Sequence, residues 1–144
     1  MEIIQATAVA VNGKGVLLRG PSGSGKSDLA LRLIDRGAVL VADDGVAAEP
    51  QADHVSLAPP APIAGMLELR GIGLAKLDYT ADVPLALVVD LAAGTELDRL
   101  PERQETTICG CPVPALTLDG LQPSAPLKVE MALAAVTGGL DLVR

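Results

Sequence analysis

Residues 15–36 read GVLLRGPSGSGKSDLALRLIDR, and this stretch decides the fold. Gly15–Arg19 is a short apolar run with the character of a strand. Ser27–Arg36 carries apolar residues at 29, 30, 33 and 34, the spacing of one helix face. Between them, Gly20-Pro21-Ser22-Gly23-Ser24-Gly25-Lys26-Ser27 has the form G-x-x-x-x-G-K-S. A strand before and a helix after are the context in which that motif cradles phosphates. Its glycines let successive backbone N–H groups turn toward an anion with no Cβ in the way. The helix beginning near Ser27 adds the positive end of its dipole and its unsatisfied N–H groups. Lys26 supplies a point charge for the β- and γ-phosphates, and Ser27 offers a hydroxyl to Mg²⁺. All eight residues from Gly20 to Ser27 are therefore expected to bind nucleotide.

Reading outward, Ile3–Val11 is rich in β-branched residues and predicts a strand. Asn12-Gly13-Lys14-Gly15 turns it into Gly15–Arg19, antiparallel to the first. Downstream, Gly37 ends the helix and Val39–Ala42 predicts a buried strand. That strand runs into Asp43-Asp44-Gly45. Ligand sites in open α/β sheets gather outside the carboxyl ends of the strands, so these acids are expected near the phosphate loop. Neighbouring strand residues face opposite ways, which aims one of the two at the phosphates. Their chemistry is metal orientation or a general base for an attacking hydroxyl; a plain Asp-Asp-Gly turn is the alternative, and the phosphate loop upstream favours the functional reading. In Glu68-Leu69-Arg70-Gly71-Ile72-Gly73, Glu68 offers a further Mg²⁺ position. Arg70 offers a phosphate contact or a partner for Asp44. By itself, an exposed acid and base beside a glycine turn needs no function.

The remaining elements are weaker. His54–Leu57 and Met66–Arg70 predict strands, with Pro59, Pro60 and Pro62 breaking the chain between them. Leu85–Val89 is the clearest central strand. Glu105–Ile108 and Ala115–Leu118 predict two more, and Pro126–Val136 a helix ended by Gly138-Gly139. Strands outnumber helices. The expectation is an α/β fold, a mixed β-sheet with few flanking helices, over one domain of 144 residues.

Composition sets the outer limits. With 49% apolar and 20% charged residues the chain has material for a core. A net charge of −7 and a pI near 4.5 repel nucleic acid, so no nucleic-acid partner is expected. Tyr79 is the sole aromatic residue, which removes base-stacking platforms and aromatic cages. Cys109, Cys111 and the distant His54 do not make a closed zinc site, and the cysteines read as buried reduced thiols. No signal-peptide pattern and no apolar run of bilayer length occurs, so a soluble cytoplasmic protein without a membrane partner is expected.

Three pieces taken together, GPSGSGKS, VADD and LELRGIGLAKLD, resemble the catalytic domain of the HPr kinase/phosphorylase family. The similarity runs over nearly the whole chain and is best over residues 3–44 and 66–78. The resemblance implies a P-loop kinase domain of the HPr kinase type, without the family's usual N-terminal regulatory domain. It implies Mg-ATP-dependent phosphorylation of a serine of HPr, the phosphocarrier of the bacterial sugar phosphotransferase system. ATP and Mg²⁺ are the implied cofactors, HPr the implied partner, and a homo-oligomer, hexameric in the family, the implied assembly. Residue by residue, Gly20–Ser27 match the ATP loop, with Lys26 on the phosphates and Ser27 on Mg²⁺. Asp44 matches the proton acceptor for the serine hydroxyl and Asp43 its neighbour. Glu68 matches the second metal-associated residue, and Leu67–Lys76, which includes Arg70, match the segment tied to both reaction directions. Arg99, in Leu97-Asp98-Arg99-Leu100, resembles the family's D-R-L arginine.

Two positions depart from that pattern. Where the family carries a histidine before the A-T-A-V-like stretch, this chain has Gln5, which can hydrogen-bond the catalytic Asp but cannot carry a proton. The family's Arg- and Gly-rich loop is replaced by Leu121-Gln122-Pro123-Ser124-Ala125-Pro126, so the resemblance does not extend to the inorganic-phosphate direction. The rival readings are another NTPase or small-molecule kinase on the same loop, or a nucleotide-sensing module without turnover.

Overall fold

The computed structural model describes residues 1–92 and 97–143. Eleven strands, two α-helices and one 3-10 turn at Ala61–Ile63 are formed among them. In chain order the strands are β1 (Glu2–Ile4), β2 (Thr7–Val11), β3 (Lys14–Arg19), β4 (Val39–Ala42), β5 (Val46–Pro50), β6 (Val55–Ala58), β7 (Met66–Leu69), β8 (Gly73–Lys76), β9 (Val83–Leu91), β10 (Gln104–Ile108) and β11 (Cys111–Leu118). The helices are α1 (Lys26–Asp35) and α2 (Ala125–Val136). Nine strands form one mixed sheet in the order β1-β5-β6-β9-β3-β2-β4. β11 also pairs with β9, and β10 pairs with β11. β7 and β8 stand apart as a hairpin.

β9 is the hub. Its apolar run Leu85–Val89 lies parallel to β3 along one edge. Its opposite edge is shared: β6 pairs antiparallel at Val83-Pro84, and β11 pairs parallel from Val88 to Leu91. β4 runs antiparallel to β2, as β3 does. The carboxyl ends of β3, β4, β9 and β11 therefore open on one side of the sheet.

The period-2 alternation divides the core in two. Val9, Val16, Leu18, Leu87 and Val89 point to the face covered by α1 and α2, where they meet Leu29, Leu33, Val129 and Leu133. Ala8, Ala10, Leu17 and Val88 point the other way, against Val46, Ala48, Val55 and Leu57. Arg36, which caps the carboxyl end of α1, pairs with Glu130 on α2 at 2.9 Å, which holds its guanidinium above the ordinary arginine range.

Two glycine turns do conformational work. Asn12 and Gly13, at φ 51° and 78°, make the two-residue link of β2 and β3. Gly37, at φ 111°, closes α1: its N–H reaches Ile34 O and that of Ala38 reaches Leu33 O, the paired bonds of a Schellman end.

The predicted strand Ile3–Val11 is two strands. The chain bends at Gln5-Ala6, where Ala6 O accepts the N–H of Gly45, so β1 leaves β2 and pairs with β5. β5 and β8 have no counterpart among the sequence expectations. Cys109 and Cys111 are free thiols and half-buried rather than buried.

Candidate functional site

The loop of residues 20–25 connects the end of β3 to the start of α1. It is anchored before it begins. Arg19 holds Asp90 on the neighbouring strand through Nε–Oδ1 at 2.8 Å and Nη2–Oδ2 at 3.1 Å. Ser24 N–H closes a turn on Pro21 O at 3.0 Å. Gly23 and Gly25 take φ of 84° and 96°, conformations that would strain a residue with a side chain. Gly20 is forced by space as well, because a Cβ there would sit 2.6 Å from Ser24 Oγ. Lys26 folds back over the loop, donating to Gly20 O at 2.7 Å and Pro21 O at 3.2 Å.

β4 carries Asp43 to the first turn of α1. Asp43 is nearly buried and accepts three hydrogen bonds. Ser27 Oγ donates to its Oδ1 at 2.7 Å, Thr7 Oγ1 donates to the same oxygen at 2.8 Å, and the Glu68 backbone N–H donates to Oδ2 at 3.1 Å. One carboxylate thus ties together β2, α1 and β7. Asp44 follows at φ 59° and is exposed. The left-handed turn lets two consecutive aspartates reach the same cleft.

That cleft, of about 610 Å³, is lined by Lys26, Ser27, Asp43, Asp44, Glu68 and Arg70. Ser22, Gly23 and Gly25 of the loop also face it. The structure therefore gathers the loop, both aspartates, Glu68 and Arg70 in one place. Glu68 reaches Asp43 through its backbone, with its side chain exposed, and no ion pair joins Arg70 to Asp44 among the described residues. Gln5 and Arg99 are exposed and outside the cleft lining.

Three contributors escaped the sequence reading. Thr7 is a fully buried hydroxyl inside an apolar strand, and its polarity in that run was the signal. Leu121 lines the cleft beside Gly25. Arg32, inside α1, donates from Nη1 to Gln122 O at 2.9 Å and from Nη2 to Gly120 O, and its Nε lies 3.0 Å from Asp28 Oδ2.

The chemistry of the cleft fits a magnesium-bound phosphate chain. Its donors are hydroxyls and carboxylates, the hard oxygen ligands that Mg²⁺ prefers. Among the described residues no three His, Cys, Asp or Glu side chains converge as a metal cage. Mg²⁺ is commonly held by one or two carboxylates together with substrate phosphates, which is what Ser27 and Asp43 allow. Charge argues the same way: the lining holds Asp28, Asp43, Asp44 and Glu68 against Lys26 and Arg70. A polyphosphate in an acidic cleft needs a divalent counterion.

Comparison with known proteins agrees with this architecture. The family model described as HPr Serine kinase C-terminal domain matches residues 1–136. The chain belongs to that family. It is 36% identical over 141 residues to the HPr kinase/phosphorylase of Lacticaseibacillus casei strain BL23, a match covering 89% of this chain and 42% of that protein. It is 34% identical over 148 residues to the HPr kinase/phosphorylase of an Exiguobacterium species, covering 94% of this chain and 47% of that one. The chain thus spans less than half the length of these relatives. The structure of the Hpr(Ser) kinase/phosphatase from Coxiella burnetii superimposes with a TM-score of 0.83 at 24% identity, covering 96% of this chain and 91% of that one. The mixed-sheet fold with few helices is therefore that of the family's C-terminal domain. No helix among the described residues is long and apolar enough to cross a membrane.

Proposed function

We propose that this chain is an ATP-dependent protein-serine kinase whose acceptor is the phosphocarrier HPr. The observation that carries the reading is the convergence of the phosphate loop, Ser27, Asp43 and Asp44 on one cleft at the carboxyl ends of β3 and β4. Family membership supplies the acceptor, since the curated relatives are named for HPr.

The roles follow from the geometry. The backbone amides of residues 22–27 and the start of α1 hold the phosphate chain. Lys26 exchanges its carbonyl partners Gly20 O and Pro21 O for phosphate oxygens. Ser27 and Asp43, with Glu68 beside them, are the residues that would hold Mg²⁺, which when bound would neutralise charge on the phosphates. Thr7 fixes the rotamer of Asp43. Asp44, exposed to the cleft and without an ion pair among the described residues, accepts the proton of the incoming serine hydroxyl. Arg70 faces the transferring group. Catalysis is positioning and charge neutralisation, because the migrating phosphoryl group needs little covalent assistance. Gln5 stands next to Ala6, which is bonded to Gly45, so it flanks the Asp44 turn from outside the lining.

The test is an acceptor screen with γ-labelled ATP and Mg²⁺. Label appears as acid-stable phosphoserine on HPr and not on a serine-to-alanine HPr or on small alcohols. Label on small alcohols alone, or release of inorganic phosphate with no acceptor labelled, overturns the reading.

A further inference from the structure

The catalytic reading leaves one wall of the cleft without a role. Residues 119–122 follow β11 and lie against the phosphate loop. Gly120 has no room for a side chain: a Cβ there would stand 2.8 Å from Leu91 Cδ1 and 3.1 Å from Ser24 O. The turn is closed internally by Leu121 N–H donating to Asp119 Oδ1 at 3.0 Å. It is held from α1 by Arg32, whose guanidinium spans the carbonyls of Gly120 and Gln122. The two bonds grip the residues on either side of Leu121. Leu121 is left 66% exposed, facing the cleft, and a Cβ at Gly25 would meet its Cδ2 at 2.9 Å.

What sets Leu121 apart from the other exposed leucines is its place: it is fixed from both sides and lines the cleft beside the phosphate loop. The polar groups of the cleft, Asp43, Asp44, Glu68 and Arg70, come from β4 and the β7–β8 hairpin and surround the reacting end of a phosphate chain. Leu121 comes from a different segment and touches the loop itself. A nucleotide held by that loop carries its base beyond the phosphates. The chain's sole aromatic residue, Tyr79, is outside the lining, so an aliphatic face must take the place of a stacking ring.

We propose that Leu121 is the platform for the purine ring of the nucleotide, and that Arg32 is a positioning residue that sets it. This deepens the proposed function and rests on it. The contact is apolar and reads the ring's face rather than its edge, so it favours purines over phosphate alone without separating adenine from guanine.

Binding of Mg-ATP and of Mg-tripolyphosphate is measured by calorimetry on the wild-type chain, L121A, R32M, R32K and M131A. Tripolyphosphate has the phosphates and no base. L121A is expected to weaken ATP roughly tenfold and leave tripolyphosphate within about twofold, as loss of one half-covered aliphatic contact requires. R32M is expected to do the same and R32K to recover part of the loss. M131A, on α2 outside the cleft lining and 56% exposed, is expected to change neither. Equal ATP affinity in L121A and wild type, or equal losses of ATP and tripolyphosphate in L121A, overturns the proposal. So does a loss of ATP affinity in M131A equal to that in L121A. Failure of the wild type to bind tripolyphosphate instead overturns the phosphate-loop reading beneath it.

Discussion

Thr7→Val is the most searching perturbation of the site's architecture. Valine keeps the β-branch and nearly the volume of threonine, so β2 and its packing are retained. What is removed is one hydroxyl, fully buried and 2.8 Å from a carboxylate oxygen that is itself nearly buried. A hydrogen bond to a charged partner contributes about 1.5–3 kcal/mol. Asp43 keeps two donors, Ser27 Oγ and the Glu68 N–H, which places the loss toward the lower part of that range. At this chain length each kcal/mol moves the melting midpoint by about 2–4 °C, so T7V is expected to melt about 3–8 °C lower. Urea unfolding checks the free energy, with an unchanged slope showing that the unfolded state has not altered. D43N completes a double-mutant cycle, in which the coupling is expected to be at least ~1 kcal/mol. A T7V chain within ~0.5 kcal/mol of wild type, or strictly additive variants, would refute the idea that Asp43 is a stabilised junction.

Four further outcomes are expected. K26M removes the ammonium bonded over the loop and is expected to weaken ATP binding by at least about tenfold in calorimetry; equal affinity counts against the loop assignment. D44N is expected to abolish transfer to HPr with ATP affinity within about twofold, and undiminished transfer would remove Asp44 as the base. G25A forces a side chain to φ 96° and into Leu121, so ATP binding is expected to be lost while the fold, followed by circular dichroism, remains. Burial, and then the hydrogen bond that its Sγ donates to the Glu2 carboxylate, push the Cys109 thiol up from its ordinary value. In a C111S background its alkylation midpoint should lie at higher pH in the folded chain than in urea. The unfolded thiol ionises first, so folding stability contributed by Cys109 declines as pH rises through the unfolded value. A folded midpoint equal to or below the unfolded one contradicts this.

The elements legible in the sequence are those whose residues answer to local rules. The phosphate loop, α1 and the Asn12-Gly13 hairpin follow from motif, periodicity and turn chemistry. β5, Val-Ala-Ala-Glu-Pro, was invisible because its residues have poor strand propensity; it is a strand because β1 and β6 pair with it on either side. β11 begins at Cys111 rather than near Ala115, since Pro112 and Pro114 read as breakers but are accommodated in the hairpin with β10. That hairpin turns on Cys109-Gly110 at φ 50° and 76°, the geometry of Asn12-Gly13 built with a residue that does not advertise it. The site divides the same way. Lys26, Asp43, Asp44, Glu68 and Arg70, charged residues within or near the motifs, line one cleft, whereas Arg99 does not. Thr7, Leu121 and Arg32 act through contacts across the fold, and no local spacing carries that information.

The central claim is that the loop from Gly20 to Ser27 grips the phosphate chain of ATP. A crystal structure with Mg²⁺ and a non-hydrolysable ATP analogue tests it most directly. Phosphate oxygens are expected on the amides of residues 22–27, with Lys26 Nζ released from Gly20 O onto a phosphate and the ion beside Ser27 and Asp43. An analogue bound elsewhere, with Lys26 still on its carbonyls, would contradict it.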